Sequence, residues 1–168
     1  MNTDSTRRNA RREFLLAAGG IAAGIALESA AAPPPIRAAA SRAAASAEAT
    51  QQAIRKITGA APVNKGKVRL ELPELVDNGN AVPLAVRVES PMTPTDYVKA
   101  IHVFTQKNPL PDVASFRLGP RAGRASVATR IRLADTQTVI AICELSDGSF
   151  WSGSADVVVT IAACLEEI

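Results

Sequence analysis

Two cysteines, Cys143 and Cys164, are the side chains of this sequence best suited to covalent chemistry, because a thiolate forms and breaks S–S bonds readily. They sit in different company. Cys143 lies between Ile142 and Glu144 in an apolar run, where a free cysteine is ordinarily a buried small hydrophobe. Cys164 stands four residues before the end of the sequence, after the apolar stretch that closes at Ile161, in the tail Ala162-Ala163-Cys164-Leu165-Glu166-Glu167-Ile168. A thiol placed there is expected to be accessible. Glu166 and Glu167 should raise its pKa and repel anionic adducts, modestly where solvent screens them. A disulfide between the two cysteines is disfavoured. With Asp147-Gly148 as the hairpin turn, Cys143 faces about Ser152, and the nine strand steps from there to Ile161 cover roughly 30 Å. The bridge needs Cα atoms within about 7 Å.

The remaining candidates are plainer. His102 falls between Ile101 and Val103 and reads as a hydrogen-bonded structural or interface residue rather than a general base. Arg121 and Arg124 flank Pro120 and Gly123 in a loop, where solvated charge is the ordinary outcome. One histidine and two cysteines exclude a Cys₄, Cys₂His₂ or His₃ metal site supplied by this chain alone. No nucleophile–His–Asp set and no phosphate loop stands out. A thiol peroxidase would need an Arg or His beside its cysteine, and the tail supplies only acids. No cofactor and no independent catalysis are expected.

The elements that must position these residues follow from periodicity. Residues 46–58 (SAEATQQAIRKIT) carry Ala49, Ala53, Ile54 and Ile57 at helical spacing, with Ser46 as the expected N-cap and Gly59 as C′. After Pro62 the period becomes two. Val68, Leu70 and Leu72, then Val82, Leu84, Val86 and Val88, then Val127, Thr129, Ile131 and Leu133 alternate with polar or small residues. Residues 97–104, 113–118, 138–145 and 149–161 complete about seven strands, separated by turn chemistry such as 77–80, 91–94, 108–111, 119–123 and 147–148. Strands without intervening helices predict an all-β fold, an Ig-like antiparallel β-sandwich preceded by one short helix. Strands 97–104 and 138–145 are apolar on both faces. A 13-residue helix hides only part of a second apolar face, so a protein partner is expected.

Residues 1–40 read as an address. Arg11-Arg12-Glu13-Phe14-Leu15 precedes a fourteen-residue, weakly apolar stretch from Phe14 to Leu27, about 21 Å as a helix and too short for a ~30 Å hydrocarbon core. The pattern resembles a twin-arginine export signal. Cleavage is expected after Ala40 or Ala45, leaving a periplasmic mature form with no membrane segment. The formal charge is +3 over 168 residues. Residues 1–40 carry +2 of it, so the remainder is nearly neutral and nucleic acid is not an expected partner.

Ordered blocks then give a family resemblance. They are Asn78-Gly79-Asn80-Ala81-Val82-Pro83-Leu84, Val88 through Thr93, Asp96-Tyr97-Val98-Lys99 and Lys107-Asn108-Pro109. Arg121 through Ala125, Thr129 through Ala134 and Ser146 through Trp151 continue the series. Together, from about Ala53 to Ala163, they resemble SoxY, the sulfur-oxidation carrier subunit that works as a SoxYZ heterodimer. That family places a carrier cysteine in a Gly-Gly-Cys-Gly-Gly arm after a Val-Thr-Ile strand end. Here Val159-Thr160-Ile161 is followed by Ala-Ala-Cys164-Leu-Glu, so Cys164 matches the carrier position while every arm glycine is replaced. The tail resembles a SoxY-related branch ending in Ala-Ala-Cys-Ile-Glu.

The resemblance implies a covalent sulfur carrier with Cys164 as the attachment residue and no cofactor. It implies a SoxZ-like β-sandwich partner. It also implies separate enzymes acting on the adduct, such as a c-type cytochrome, a hydrolase or a sulfur dehydrogenase. The alternative is a β-sandwich interaction subunit that has lost the cargo role. The expected organisation is a signal over 1–40, an Ala-rich linker and short helix over 41–62, the sandwich over 63–161 and a carrier arm over 162–168.

Overall fold

The computed structural model describes residues 35–161, with side chains of the first helix described from residue 44. Residues 1–34 of the expected N-terminal signal and the tail that carries Cys164 lie outside the described residues, while residues 35–40 of that expected signal fall in the first helix.

Helix α1 spans Pro35–Thr58. It is longer than the predicted 46–58 because the alanine-rich stretch read as linker has the best helix formers available, and proline is well suited to a first helical turn. Ser46 is therefore inside the helix and not its N-cap. Its hydroxyl instead donates to the Gln106 carbonyl. Gly59 ends the helix as expected, at φ +61°, with its amide bonded to the Arg55 carbonyl at 2.8 Å.

Nine strands follow: β1 (Val63–Lys65), β2 (Val68–Glu71), β3 (Leu75–Asn78), β4 (Val82–Val88), β5 (Val98–Thr105), β6 (Asp112–Arg117), β7 (Ser126–Ile131), β8 (Gln137–Leu145) and β9 (Phe150–Ile161). They form two sheets, one in the order β1-β9-β8-β5-β6 with β3 also on β9, the other β2-β4-β7. The sandwich is thus the expected class, with the seven predicted strands all present. The two unpredicted ones, β1 and β3, are three and four residues long and pair parallel with β9, so the sheet is not wholly antiparallel. Both are too short to show a period of two. β1 covers the start of β9 (Val63↔Phe150) and β3 covers its end (Leu75↔Val158, Asn78↔Ile161). Between them β2 crosses to the other sheet.

At that crossing the backbones nearly touch. A Cβ on Gly153 would overlap the Val68 carbonyl oxygen and press on Leu70. Gly153→Ala should therefore cost about 1–3 kcal/mol, since backbone cannot move aside as a side-chain tip can. A urea midpoint unchanged from wild type would show that β2 and β9 are not in this contact.

The main core lies between the sheets, with Val82, Val86, Val98, Ile101, Val103, Leu133, Val139, Ala141, Cys143 and Val157 fully or almost fully buried. A second cluster lies on the outer face of the larger sheet. Ile54 of α1, with Ala53 and Ile57, covers Phe104, Ile142 and Phe150. The Thr50 hydroxyl donates to Thr105 O at 3.0 Å and holds the helix to the end of β5.

This changes the reading of the two doubly apolar strands. A register shift between Val98 and Ala100 lets both Val98 and Ile101 face the core, and α1 takes Phe104 and Ile142. Beyond the helix the outer face carries half-buried or exposed polar groups: Lys99 paired with Glu144 at 3.3 Å, and His102 with Ser115 at 2.8 Å. The need for a partner does not arise from these strands. Large apolar side chains are exposed elsewhere: Leu75, Val158 and Ile161 along the β3–β9 edge, and Leu110 at the β5–β6 loop.

Candidate functional site

The chemistry must be sought around the two thiols and the end of β9. Cys143 is on β8 with its side chain in the main core and no exposed surface. Burial pushes its thiol up to about 11. A thiol so placed is inert at neutral pH, for want of both thiolate and access. Its cross-strand partner is Trp151, not Ser152. The hairpin is a three-residue loop, Ser146-Asp147-Gly148, with Gly148 at φ +82° and the Leu145 amide bonded to Ser149 O at 3.0 Å. The two-residue turn expected from Asp147-Gly148 gives a pairing one residue out. The correction lengthens the path from Cys143's partner to Ile161 to ten strand steps, about 33 Å. Cys164, three residues past Ile161, reaches back about 10 Å at most, so a bridge to Cys143 is out of range.

The end of β9 is built from three of the ordered sequence blocks. Asn78 pairs with Ile161, and its side-chain oxygen accepts the Asn80 amide at 2.9 Å, closing the turn Gly79–Ala81. Gly79 O accepts the Leu133 amide at 2.8 Å. Asn108 joins the β5–β6 loop to the β7–β8 loop: it donates to Arg132 O at 2.8 Å and accepts from the Ala134 amide at 3.0 Å and from Gln137 Nε2 at 2.8 Å. Beside it Lys107 pairs with Asp135 at 3.0 Å, and this hydrogen bond holds the Asp135 carboxyl below its ordinary range. Thr136 Oγ1 receives the Val159 amide at 3.0 Å, and Thr160 donates to Asp77 O at 3.1 Å. The last described residues of β9 are thus held directly by β3 and by Thr136 of the β7–β8 loop, a loop that Asn108 ties down in turn.

Asn108→Ala should cost about 2–3 kcal/mol, because it leaves Arg132 O, the Ala134 amide and Gln137 Nε2 without their partner. Thermal or urea unfolding checks it. A loss below about 0.5 kcal/mol, the range of an ordinary surface change, would contradict the bracing role.

The other blocks meet at the opposite end. Met92 is buried at φ +51°, with its amide on Ser90 Oγ at 3.3 Å and its sulfur accepting the Val98 amide at 3.5 Å. Lys67 lies 4.6 Å from the centroid of the Trp151 ring. Arg121 and Arg124 are exposed in the loop before β7. His102 is kept below its ordinary pKa chiefly by burial, against the opposing charges of Asp112 and Glu144, so it is neutral at pH 7. It does not approach Cys143's face of the sheet. The structure brings none of His102, Arg121 or Arg124 to a shared site. Sequence reasoning left the bracing roles of Asn108 and Thr136 unassigned, since hydrogen bonds between distant loops leave no periodic signal.

No group of three or more His, Cys, Asp or Glu side chains able to hold a metal ion occurs among the described residues. No helix among them is long and apolar enough to cross a membrane.

Comparison with known proteins gives a family and several solved structures of similar fold. Residues 54–164 match the family model described as sulfur oxidation protein SoxY, a span that includes Cys164. The chain is similar to the sulfur carrier protein SoxY from Chlorobium limicola f thiosulfatophilum, with 29% identity and a TM-score of 0.61 over 71% of this chain and 98% of that one. It also shares its fold with the superoxide reductase (neelaredoxin) from Ignicoccus hospitalis, at 16% identity and a TM-score of 0.50 over 56% of this chain and 80% of that one. No curated protein matches the sequence.

Proposed function

This chain belongs to the SoxY family of sulfur oxidation proteins, and from that premise we propose that it is a periplasmic sulfur carrier holding an oxidation intermediate covalently on Cys164. The observation that carries the reading is the family match over residues 54–164, which reaches Cys164 and leaves Cys143 in the core. The physical division of labour supports it. One thiol is locked away with a raised pKa. The other follows a strand end braced by Asn78, Thr136 and Asp77. Tethering keeps an otherwise dilute intermediate at high effective concentration for the enzymes that act on it in turn.

In this reading the chain is not itself an enzyme. The Cys164 thiolate and a reduced sulfur atom of the incoming compound are joined by an S–S bond in a two-electron oxidation, the two electrons passing to an acceptor of the c-type cytochrome class. Partner enzymes then oxidise or hydrolyse the outer sulfur, and the c-type cytochrome, hydrolase or sulfur dehydrogenase expected from the family fill those roles. A SoxZ-like β-sandwich subunit completes a heterodimer. The exposed apolar strip Leu75–Val158–Ile161 at the β3–β9 edge is a surface such a subunit would cover. The acidic, glycine-free tail favours a second reading, an interaction subunit without cargo.

Export by the twin-arginine route rests on Arg11-Arg12-Glu13-Phe14-Leu15. Replacing both arginines with lysine should leave unprocessed precursor in the cytoplasm, and normal processing of that variant would refute the route. Cleavage after Ala45 would retain Ser46, Thr50 and Ile54, which hold α1 to the sheet. The carrier reading itself is tested by the mass of the peptide containing Cys164 from sulfur-oxidising cells, before and after reduction.

A further inference from the structure

The larger sheet ends at β6. Among the described residues the only partner strand of β6 is β5, which it meets as Ala100↔Arg117, Ile101↔Phe116, His102↔Ser115 and Val103↔Ala114. Just past the strand the Leu118 amide bonds the Lys99 carbonyl at 2.8 Å. Hydrogen-bonded pairs alternate along an antiparallel ladder. Phe116 and Ala114 therefore bond to β5, and the amides and carbonyls of Ser115 and Arg117 point away from it. Such an edge is a template for one more strand.

The outer face of β6 is complementary to itself. The register shift between Val103 and Phe104 makes Val113 the extra residue and sets Asp112 opposite Phe104. Phe104 packs under α1 on the outer face, so Asp112 shares that face with Ser115 and Arg117. All three are exposed. The carboxylate and the guanidinium sit at the two ends of the strand, and neither makes an ion pair among the described residues. A second β6 laid antiparallel about Ser115 would bring Ser115 onto its own copy. Each Arg117 would then come level with Val113 of the other chain, and its long side chain covers the last step to Asp112. The same two-fold acts on the flanks. Leu110, 77% exposed just before the strand, would come level with Pro120 and beside Leu118 of the other chain, both only partly buried. Charge at a strand end also serves to keep edges apart. That purpose needs no opposite signs at positions that a two-fold axis interchanges.

We propose that two copies of this chain associate edge to edge through β6, antiparallel about Ser115, with Asp112 of each against Arg117 of the other and Leu110 of each on Leu118 and Pro120 of the other. The larger sheet then runs on through both copies. The contact is isologous and uses up the edge that makes it, so it closes at two. A six-residue strand buries little surface, which places the dimer in the weak, reversible class below about 1,200 Å². The strip Leu75–Val158–Ile161 lies at the other side of the sheet, on β3 and β9, so a subunit bound there leaves β6 free.

The test is sedimentation of the full mature chain from about 1 µM to about 1 mM, with reductant present so that no dimer is held by a disulfide. Wild type should pass reversibly from monomer to dimer. Asp112→Arg and Arg117→Asp should each weaken self-association about tenfold or more, because both reciprocal contacts become repulsive. Mixed one to one, the two variants should form a heterodimer about as tight as the wild-type dimer, since each chain then supplies the charge that the other lacks. Ser115→Pro should abolish association by removing an edge amide that the β5 ladder does not use, and its urea midpoint reports whether the fold is kept. A chain that stays monomeric throughout, a dimer that the charge variants leave unweakened, or a mixture no tighter than its components would overturn the proposal. None of these readouts involves Cys164, whose adduct is measured by mass, so failure of the dimer and failure of the carrier reading are told apart.

Discussion

In the folded protein a thiol reagent at pH 7 should modify Cys164 and leave Cys143 unmodified until the chain unfolds. The difference in rate is expected to be at least two orders of magnitude. Burial raises the Cys143 thiol from an ordinary 9.0 to about 11, so ionisation alone slows it by about 100-fold. The core adds a barrier of access, since Cys143 has no exposed surface. The same shift sets a pH dependence. The folded-state pKa of Cys143 lies above its unfolded value, so between the two the unfolded chain has lost a proton that the folded chain keeps. Cys143 therefore leaves stability unaffected below the unfolded value and lowers it as pH rises toward about 11. Cys143→Ala should remove that component of the alkaline decline, at the cost of a small cavity. An alkylation experiment in which both cysteines react at one rate in native buffer would contradict the burial of β8.

Cys164→Ser should abolish sulfur loading while leaving the fold intact. The strands, α1 and the two apolar clusters of the described residues are built without Cys164. The substitution should therefore shift stability by no more than about 0.5 kcal/mol, as for a surface change. A serine hydroxyl cannot form the S–S bond, so the effect on loading is all or none rather than graded. Cys143→Ala is the matching control and should load normally. If Cys164→Ser loaded as well as wild type, the attachment site would have to be elsewhere and the family carry-over would fail.

The sandwich was legible because its core strands carry their own signature. β4, for example, alternates Val82, Leu84, Val86 and Val88 inward with Pro83 and Arg87 outward, and the structure buries those four positions. β1 and β3 were not legible, because three or four residues hold too few periods to register and their pairing with β9 is set by distant chain. The helix start was misplaced for a different reason. A run of alanines has no amphipathic pattern, yet its propensity carries the helix back to Pro35. The pairing of Cys143 differs by one residue from the two-residue-turn expectation because Gly148 is the left-handed residue of a longer loop. The expected partner surface on strands 97–104 and 138–145 was misplaced because a register shift and a covering helix both make a strand look apolar on two faces. At the site, Cys164 was legible only by resemblance. The bracing of the β9 end by Thr136 and Asn78, and of the loop behind it by Asn108, needed the fold, since each joins segments far apart in sequence.

The most direct measurement is the mass of the protein isolated from cells growing on a reduced sulfur compound, taken intact and by peptide, with and without reductant. The account predicts an increment that reductant removes, localised to the peptide containing Cys164, with Cys143 unmodified. An unmodified Cys164 under those conditions, or an increment on Cys143, would contradict it.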